Sequence, residues 1–414
     1  MMNNSVPRAK AASWRKPAVV IVAGCLIAAI GFGARSSMGL YLEPMTTARG
    51  FSRETFGLAL ALQNLFWGIG LPFAGAAADR FGASRVIVIG ALVYAIGLWG
   101  TAQVETGATL YLFAGILMGL GVAFSAFSLA LAAMVRAIGP ERRSLILGLG
   151  TAAASAGQVV FSPISQGLIG TLGWPPALAI TSMLVLAMIP LALVLPHLSG
   201  SSATTARLEA EQTLRQALAE AFAHRGFVLL STGFFVCGFH VAFITVHFPA
   251  YVRDLGLDPV IGAWSLSLIG LFNIVGTLGA GAIGQRFSKR MALSVIYILR
   301  AIAIVALLLS PQDTFSILLF AAVMGVLWLS TVPLTTGIIA DVFGVRFMAT
   351  LFGIVFLSHQ IGSFLGVWLG GVLYDSTGSY DGMWWAGAVL GLAAAIIHLP
   401  IDEKPLPRLQ AAIG

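Results

Sequence analysis

Apolar segments of roughly 20 residues, the length an α-helix needs to cross about 30 Å of hydrocarbon, recur twelve times along this chain. The pattern predicts membrane-crossing helices over 18–43, 55–77, 86–103, 108–134, 144–169, 175–195, 227–250, 260–284, 291–309, 314–340, 347–371 and 383–400. Only 9% of the residues are charged and 58% are hydrophobic, whereas soluble domains carry roughly 25% charged residues. Such a surface needs lipid to cover it, so the expected fold class is an all-α membrane protein. Arg8, Lys10, Arg15 and Lys16 precede the first run, as in a secretory signal. That run continues past Gly31 and Gly33 to Pro44 with no small-residue cleavage site, and is read as the first span. The 48 glycines favour close helix packing in lipid.

The net charge of +7 does not point to nucleic acid, because the basic residues stand singly in short segments between apolar runs. With the N-terminus inside, the inner segments hold 18 Lys and Arg, and the outer loops hold Arg49, Arg53 and Arg253. This asymmetry predicts cytoplasmic termini. Cys25 and Cys237 lie in apolar stretches and read as packing residues, with no disulfide or metal spacing.

One long hydrophilic segment, 196–226, divides the spans six and six. The expected organisation is an N-terminal six-helix bundle over 1–195, a cytoplasmic linker over 196–226, and a C-terminal bundle with a short tail over 227–414. Within the linker, Leu208, Leu214, Leu218 and Phe222 form an apolar stripe on a predicted helix capped by Thr204 or Thr205. It reads as a surface helix joining two bundles or as a regulatory docking site. An internal repeat supports the division. Residues 64–81, NLFWGIGLPFAGAAADRF, align with 270–287, GLFNIVGTLGAGAIGQRF, at an offset of 206, matching Gly70 with Gly276, Gly75 with Gly281, Arg80 with Arg286 and Phe81 with Phe287.

The stretch Gly75, Asp79, Arg80, Gly82 and Arg85 resembles the loop motif of the major facilitator superfamily, G-x-x-x-D-R-x-G-x-R-R, departing from it at Ser84. The second copy, with Gly281, Gln285, Arg286, Ser288, Lys289 and Arg290, is degenerate. The resemblance implies twelve transmembrane helices in two pseudo-symmetric six-helix bundles. It also implies a conformational gate in which an acid and several bases lock helix ends in one state and release them in another. Gly75, Asp79, Arg80, Gly82, Arg85 and Arg286 belong to that gate. Asp341 and Arg346 read as a gate pair or a surface salt bridge. Within the superfamily, GFGARSSMGLYLEPM (31–45), CGFHVAFITVHFPAYVRDLG (237–256) and LFGIVFLSHQIGSFLGVWLGG (351–371) are similar to the monocarboxylate transporter and oxalate:formate antiporter branch. That branch's acid-plus-arginine pair on the eighth helix is not evident here, where the helix offers Asn273 and no charged residue before Arg286.

All 16 acidic residues fall outside the predicted hydrocarbon, but two basic residues, Arg35 and Arg300, fall within it. An unpaired arginine at depth costs roughly 2.5–3.5 kcal/mol even on the lenient insertion scale. Each therefore calls for a partner or a watery cavity, and a substrate anion held by the guanidinium fork would serve. At 1.5 Å per residue, Arg35 lies about 26 Å along the first helix and Arg300 about 14 Å along the ninth. Arg35 reads as a cargo ligand or gate residue, or as snorkelling to the outer surface. Arg300 reads as a ligand, or as bonded to carbonyls between helices. His240 and His359 are proton-carrier candidates placed to face each other across the second half, because imidazole titrates near neutrality, and His247 lies nearer the outer surface. Gln63, Asn64, Asn273 and Gln360 offer amides to a bound anion or to neighbouring helices.

The reading that follows is a non-enzymatic secondary transporter moving a small monocarboxylate-like anion by alternating access, coupled to protons. It is placed in a bacterial inner membrane, acting as a monomer with the anion, H+ and the lipid bilayer as partners and with no cofactor or metal. Anion:anion exchange and proton-driven drug efflux are the alternatives. The second is disfavoured by the lack of a buried acid and by the faint match of Gly157 and Ser162-Pro163 to the antiporter glycine-proline motif. No nucleotide-binding or metal-ligand pattern is present.

Overall fold

A computed structural model describes residues 17–138, 143–195 and 212–410. Its long helices are α1 (Pro17–Arg49), α2 (Arg53–Phe81), α3 (Ala83–Thr101), α4 (Gly107–Val135), α5 (Arg143–Leu172), α6 (Trp174–Val194), α7 (Arg225–Asp254), α8 (Pro259–Arg286), α9 (Lys289–Leu309), α10 (Thr314–Phe343), α11 (Met348–Thr377) and α12 (Asp381–His398). Among the described residues, eleven are long and apolar enough to cross a membrane. The remaining one, α5, has the length, with Ser155, Gln158, Ser162 and Ser165 buried along it.

Local chemistry sets the helix ends. Ser52 caps α2 through the Thr55 N–H, Asp258 caps α8 through Val260, and Asp313 caps α10 through Ser316. The Ser316 bond holds the Asp313 carboxyl below the usual carboxylate range. Between α2 and α3 the motif glycine, Gly82, turns the chain at a φ of 89°, a conformation that a side chain would strain. Its counterpart in the repeat, Ser288, instead caps α9 by accepting from Met291. The degeneracy of the second copy is thus a different turn that no longer needs glycine.

The halves repeat throughout: α2 and α3, Arg53–Phe81 and Ala83–Thr101, are matched by α8 and α9, Pro259–Arg286 and Lys289–Leu309. In each half a central pair packs backbone to backbone, α1 on α5 and α7 on α11. A Cβ on Gly157 would lie 2.0 Å from the Ala29 carbonyl oxygen, and one on Gly238 would lie 1.8 Å from that of His359. Small residues give this close approach in the absence of a hydrophobic drive between helices. The halves meet where α2 packs on α11 and α5 on α8, with α3, α6, α9 and α12 on the flanks.

The linker helix differs from expectation. It spans Leu214–Ala223 and is capped by Thr213, whose hydroxyl accepts from Gln216 N–H while the Gln216 side chain accepts from Thr213 N–H. Thr204, Thr205 and Leu208 lie outside the described residues. Ala217 and Ala221, one turn apart, are the buried residues, whereas Leu214 and Phe222 are exposed. The small side chains let the helix lie close to the bundle, and an Arg408–Glu220 pair at 3.0 Å fastens the C-terminal segment to it.

Candidate functional site

The two intramembrane arginines have different environments. Arg300, on α9, is wholly buried. Its guanidinium donates to the carbonyl oxygens of Leu327, at 2.7 and 3.2 Å, and of Trp328, and one nitrogen lies 3.6 Å from the Cys237 sulfur. Those carbonyls are free because α10 breaks there: its first helix ends at Leu327 and its second starts at Thr331. The last carbonyls of a helix lack internal partners and carry the negative end of its dipole, which suits a cation. Asn273 completes the repair by accepting from Leu329 N–H at 3.0 Å, and it donates to Ser155 on α5 at 2.9 Å. Arg300 and Asn273 therefore brace the α10 break. The signal that could have revealed the break is Pro333, which has no N–H to continue a helix through Leu329.

The repeat explains the position. At the established offset Arg300 corresponds to Tyr94 and Cys237 to Gly31. Tyr94 donates to the Gly31 carbonyl at 3.3 Å, and α4 breaks at Ser125 much as α10 does. In the first half a neutral phenol occupies the position that a cation fills in the second.

Arg35, at the end of the regular part of α1, is only partly buried. It donates to the Asn64 side-chain oxygen, and its guanidinium carbon stands 4.5 Å from the centre of the Trp67 ring. One helical turn fixes both partners on α2. Asn64 anchors itself by donating to Leu60 O at 2.8 Å, and its own carbonyl accepts from Gln360 of α11 at 3.0 Å. Gln360 in turn meets the His359 Nδ1 at 3.0 Å. His359 stacks on Phe356 at 5.6 Å between ring centres, and Phe356 meets Trp67 edge-on at 5.3 Å. Arg35, Asn64, Trp67, Phe356, His359 and Gln360 thus form one cluster across the α2–α11 seam. Two buried donors in it, Arg35 Nε and Trp67 Nε1, have no partner.

Other expected residues lie elsewhere. His240 bonds the Gly387 carbonyl of α12 at 2.7 Å, in space left by Gly387 and Gly391, so it does not meet His359. His247 bonds Tyr380 and the Val367 carbonyl at 3.0 and 2.8 Å. Gln63 donates to Ala114 O of α4 at 3.1 Å, an interhelical bond. Asp341 pairs with Lys289 at 2.6 Å rather than with Arg346, whose guanidinium lies over Phe347. Trp67 and Phe356 escaped sequence reasoning because aromatics in apolar spans carry no pattern of their own.

The halves are fastened at one end. Arg53 binds Asp254 through two nitrogens at 2.5 and 2.6 Å, reaches Tyr380 at 3.0 Å, and lies over the Tyr374 ring. Arg253 pairs with Glu43 at 2.6 Å, and Asp375 accepts from the backbone N–H groups of Arg53 and Glu54. Toward the other end, where the Asp79 motif lies, Gly75, Gly148, Gly281 and Gly353 on the four seam helices look onto open space. Two ion pairs toward that end, Lys289–Asp341 and Arg408–Glu220, lie within the second half and its linker. The halves are latched together at the Arg53 end. Two-point charged bonds of this kind are worth about 1.5–3 kcal/mol each, so Arg53→Ala favours opening at its own end roughly tenfold. A cysteine replacing buried Leu40, with Cys25 and Cys237 changed to serine, reports this as faster labelling by a membrane-impermeant maleimide. An unchanged rate contradicts a latch at Arg53.

Comparison with known proteins fits this architecture. A family model of the Major Facilitator Superfamily matches residues 23–366 and 264–414. Monocarboxylate transporter 13 of Rattus norvegicus is 25% identical over 92% of this chain and 88% of its own length. An uncharacterised MFS-type transporter of Bacillus subtilis (strain 168), YcxA, is 25% identical over 91% and 93% of the two chains. Among solved structures, a D-xylose-proton symporter superposes with a TM-score of 0.76 at 16% identity, covering 94% of this chain and 99% of that one.

Proposed function

Because this chain belongs to the Major Facilitator Superfamily, we propose that it carries a small monocarboxylate by alternating access of its two six-helix halves, binding the anion at Arg35. The observation that carries this reading is the environment of Arg35: a guanidinium with a neutral amide and an indole face as partners and a buried Nε with none. A carboxylate supplies the charge that these partners lack and accepts the guanidinium fork in two bonds. Arg300 is bound through Nε and one terminal nitrogen to the Leu327 and Trp328 carbonyls, with its other terminal nitrogen left without a partner, whereas Arg35 meets the protein through one amide oxygen and a ring face, which makes Arg35 the better placed of the two for cargo. The likeness to monocarboxylate transporter 13 supports the same class.

The proposed organisation places residues 1–195 and 227–414 as the two moving halves, joined through 196–226, with both termini cytoplasmic in an inner membrane. With the termini so placed, the Arg53 latch closes the outer side between the halves. The motif residues Asp79, Arg80 and Arg85, with Arg286, form the gate at the cytoplasmic end.

We assign proton coupling to His359, which shares the seam cluster with Arg35 through Gln360 and Asn64. An imidazole there takes up a proton as the anion binds and returns it on release. Uptake of a labelled carboxylate panel into proteoliposomes tests the reading, with and without an imposed pH gradient. An inward-acid-driven accumulation is expected in the wild type, and His359→Gln transports down the anion gradient without responding to pH. A His359→Gln protein still driven by the pH gradient removes His359 as the coupling group, and a wild type that ignores the gradient shifts the assignment to anion exchange.

A further inference from the structure

The seam cluster contains two buried N–H donors without a partner, Arg35 Nε and Trp67 Nε1, on side chains stacked 4.5 Å apart. A buried donor left unpaired in a membrane interior is costly, and two beside each other imply an acceptor that completes them. Trp67 is 8% exposed, and the ring is held edge-on by Phe356, so its N–H has a fixed direction. The acceptor must offer two oxygens close together and a negative charge. It must also have an apolar body, since Phe356 and Leu357 are the partly exposed α11 residues beside the cluster.

We infer that Trp67 is a second carboxylate ligand, its indole N–H adding a bond to one oxygen of a carboxylate that the Arg35 guanidinium fork holds, with Phe356 receiving a hydrophobic substituent of the acid. The inference rests on the reading of Arg35 as the anion site and adds to it a donor and a substrate class: monocarboxylates with a branched or aromatic body, ahead of acetate and of dicarboxylates. Phe356 sorts substrates by their bodies, and Trp67 acts on the charged end common to all of them.

Uptake kinetics in proteoliposomes with labelled phenylacetate, isovalerate, acetate and malonate test this. The wild type is expected to take up phenylacetate and isovalerate with lower KM than acetate, and malonate poorly. Trp67→Phe, which keeps a ring and removes the N–H, raises KM for every accepted acid about 10-fold or more, the effect of losing one hydrogen bond to a charged group. Trp67→His, which restores a ring N–H, recovers part of that loss. Phe356→Ala raises KM for phenylacetate several-fold more than for acetate. If Trp67→Phe fails to accumulate, Trp67→His is compared with Trp67→Leu at equal protein, and equal KM values overturn the assignment. Wild-type uptake of these acids with unaltered KM in Trp67→Phe overturns the indole ligand alone. No uptake of any acid by the wild type overturns the anion site and the indole ligand together.

Discussion

Replacing Arg35 by alanine abolishes carboxylate uptake, by about 100-fold or more, while the protein still accumulates in the membrane. The magnitude follows from removing two charge-assisted hydrogen bonds to the anion, each worth about 1.5–3 kcal/mol, together with the charge that compensates it in a site of low dielectric. Accumulation persists because the side chain is tied to the protein by one amide oxygen and an aromatic face, which are minor contributions to the bundle. Lysine at this position keeps the charge and loses the fork, so Arg35→Lys is expected between the two, nearer alanine. Initial uptake rates normalised to reconstituted protein measure this. Unchanged uptake in Arg35→Ala removes the residue from the site.

Arg300→Ala behaves in the opposite way: it destabilises the protein before it alters transport. The substitution leaves the Leu327 and Trp328 carbonyls without their donor in the interior of the second half. Each orphaned carbonyl costs about 1–3 kcal/mol, and the cavity left by a large side chain adds to this, so a loss of about 3 kcal/mol or more is expected. Release from the burden of a buried charge offsets part of the loss. Thermal unfolding in detergent reads the change as a lower midpoint, and Arg300→Lys, able to donate to the same carbonyls without the planar fork, falls between. A stable Arg300→Ala protein that has lost uptake would instead make Arg300 a ligand.

These two arginines mark where sequence reasoning reaches and where it stops. Hydropathy and the Gly75–Arg85 motif identify the helices and their repeat, because lipid imposes length and composition on every crossing. The eleven crossings and α5 fall where the apolar runs predict them. The same reasoning flags Arg35 and Arg300 equally, since both are cations without an acid at their depth. What separates them is the α10 break at 328–330, a local interruption of backbone bonding that supplies carbonyls to one arginine and none to the other. Pro333 hinted at it, but a proline in an apolar run also fits a continuous kinked helix. The amides show the same limit. Asn64 and Gln360 join the Arg35 cluster while Gln63 turns to α4, a choice fixed by the 100° between neighbouring residues on a helix and by which face meets α11. His240 and His359 lie in the same half yet face different neighbours for a similar reason: glycines on α12 make room for one ring, and Phe234 and Phe356 enclose the other.

The account depends on Arg35 requiring a negative charge in its cargo. Competition in wild-type proteoliposomes between labelled phenylacetate and either unlabelled phenylacetate or its uncharged amide, phenylacetamide, tests that requirement directly. The two competitors share a shape and differ in charge. Strong inhibition by the acid with none by a large excess of the amide is the predicted outcome, and equal inhibition by both would contradict it.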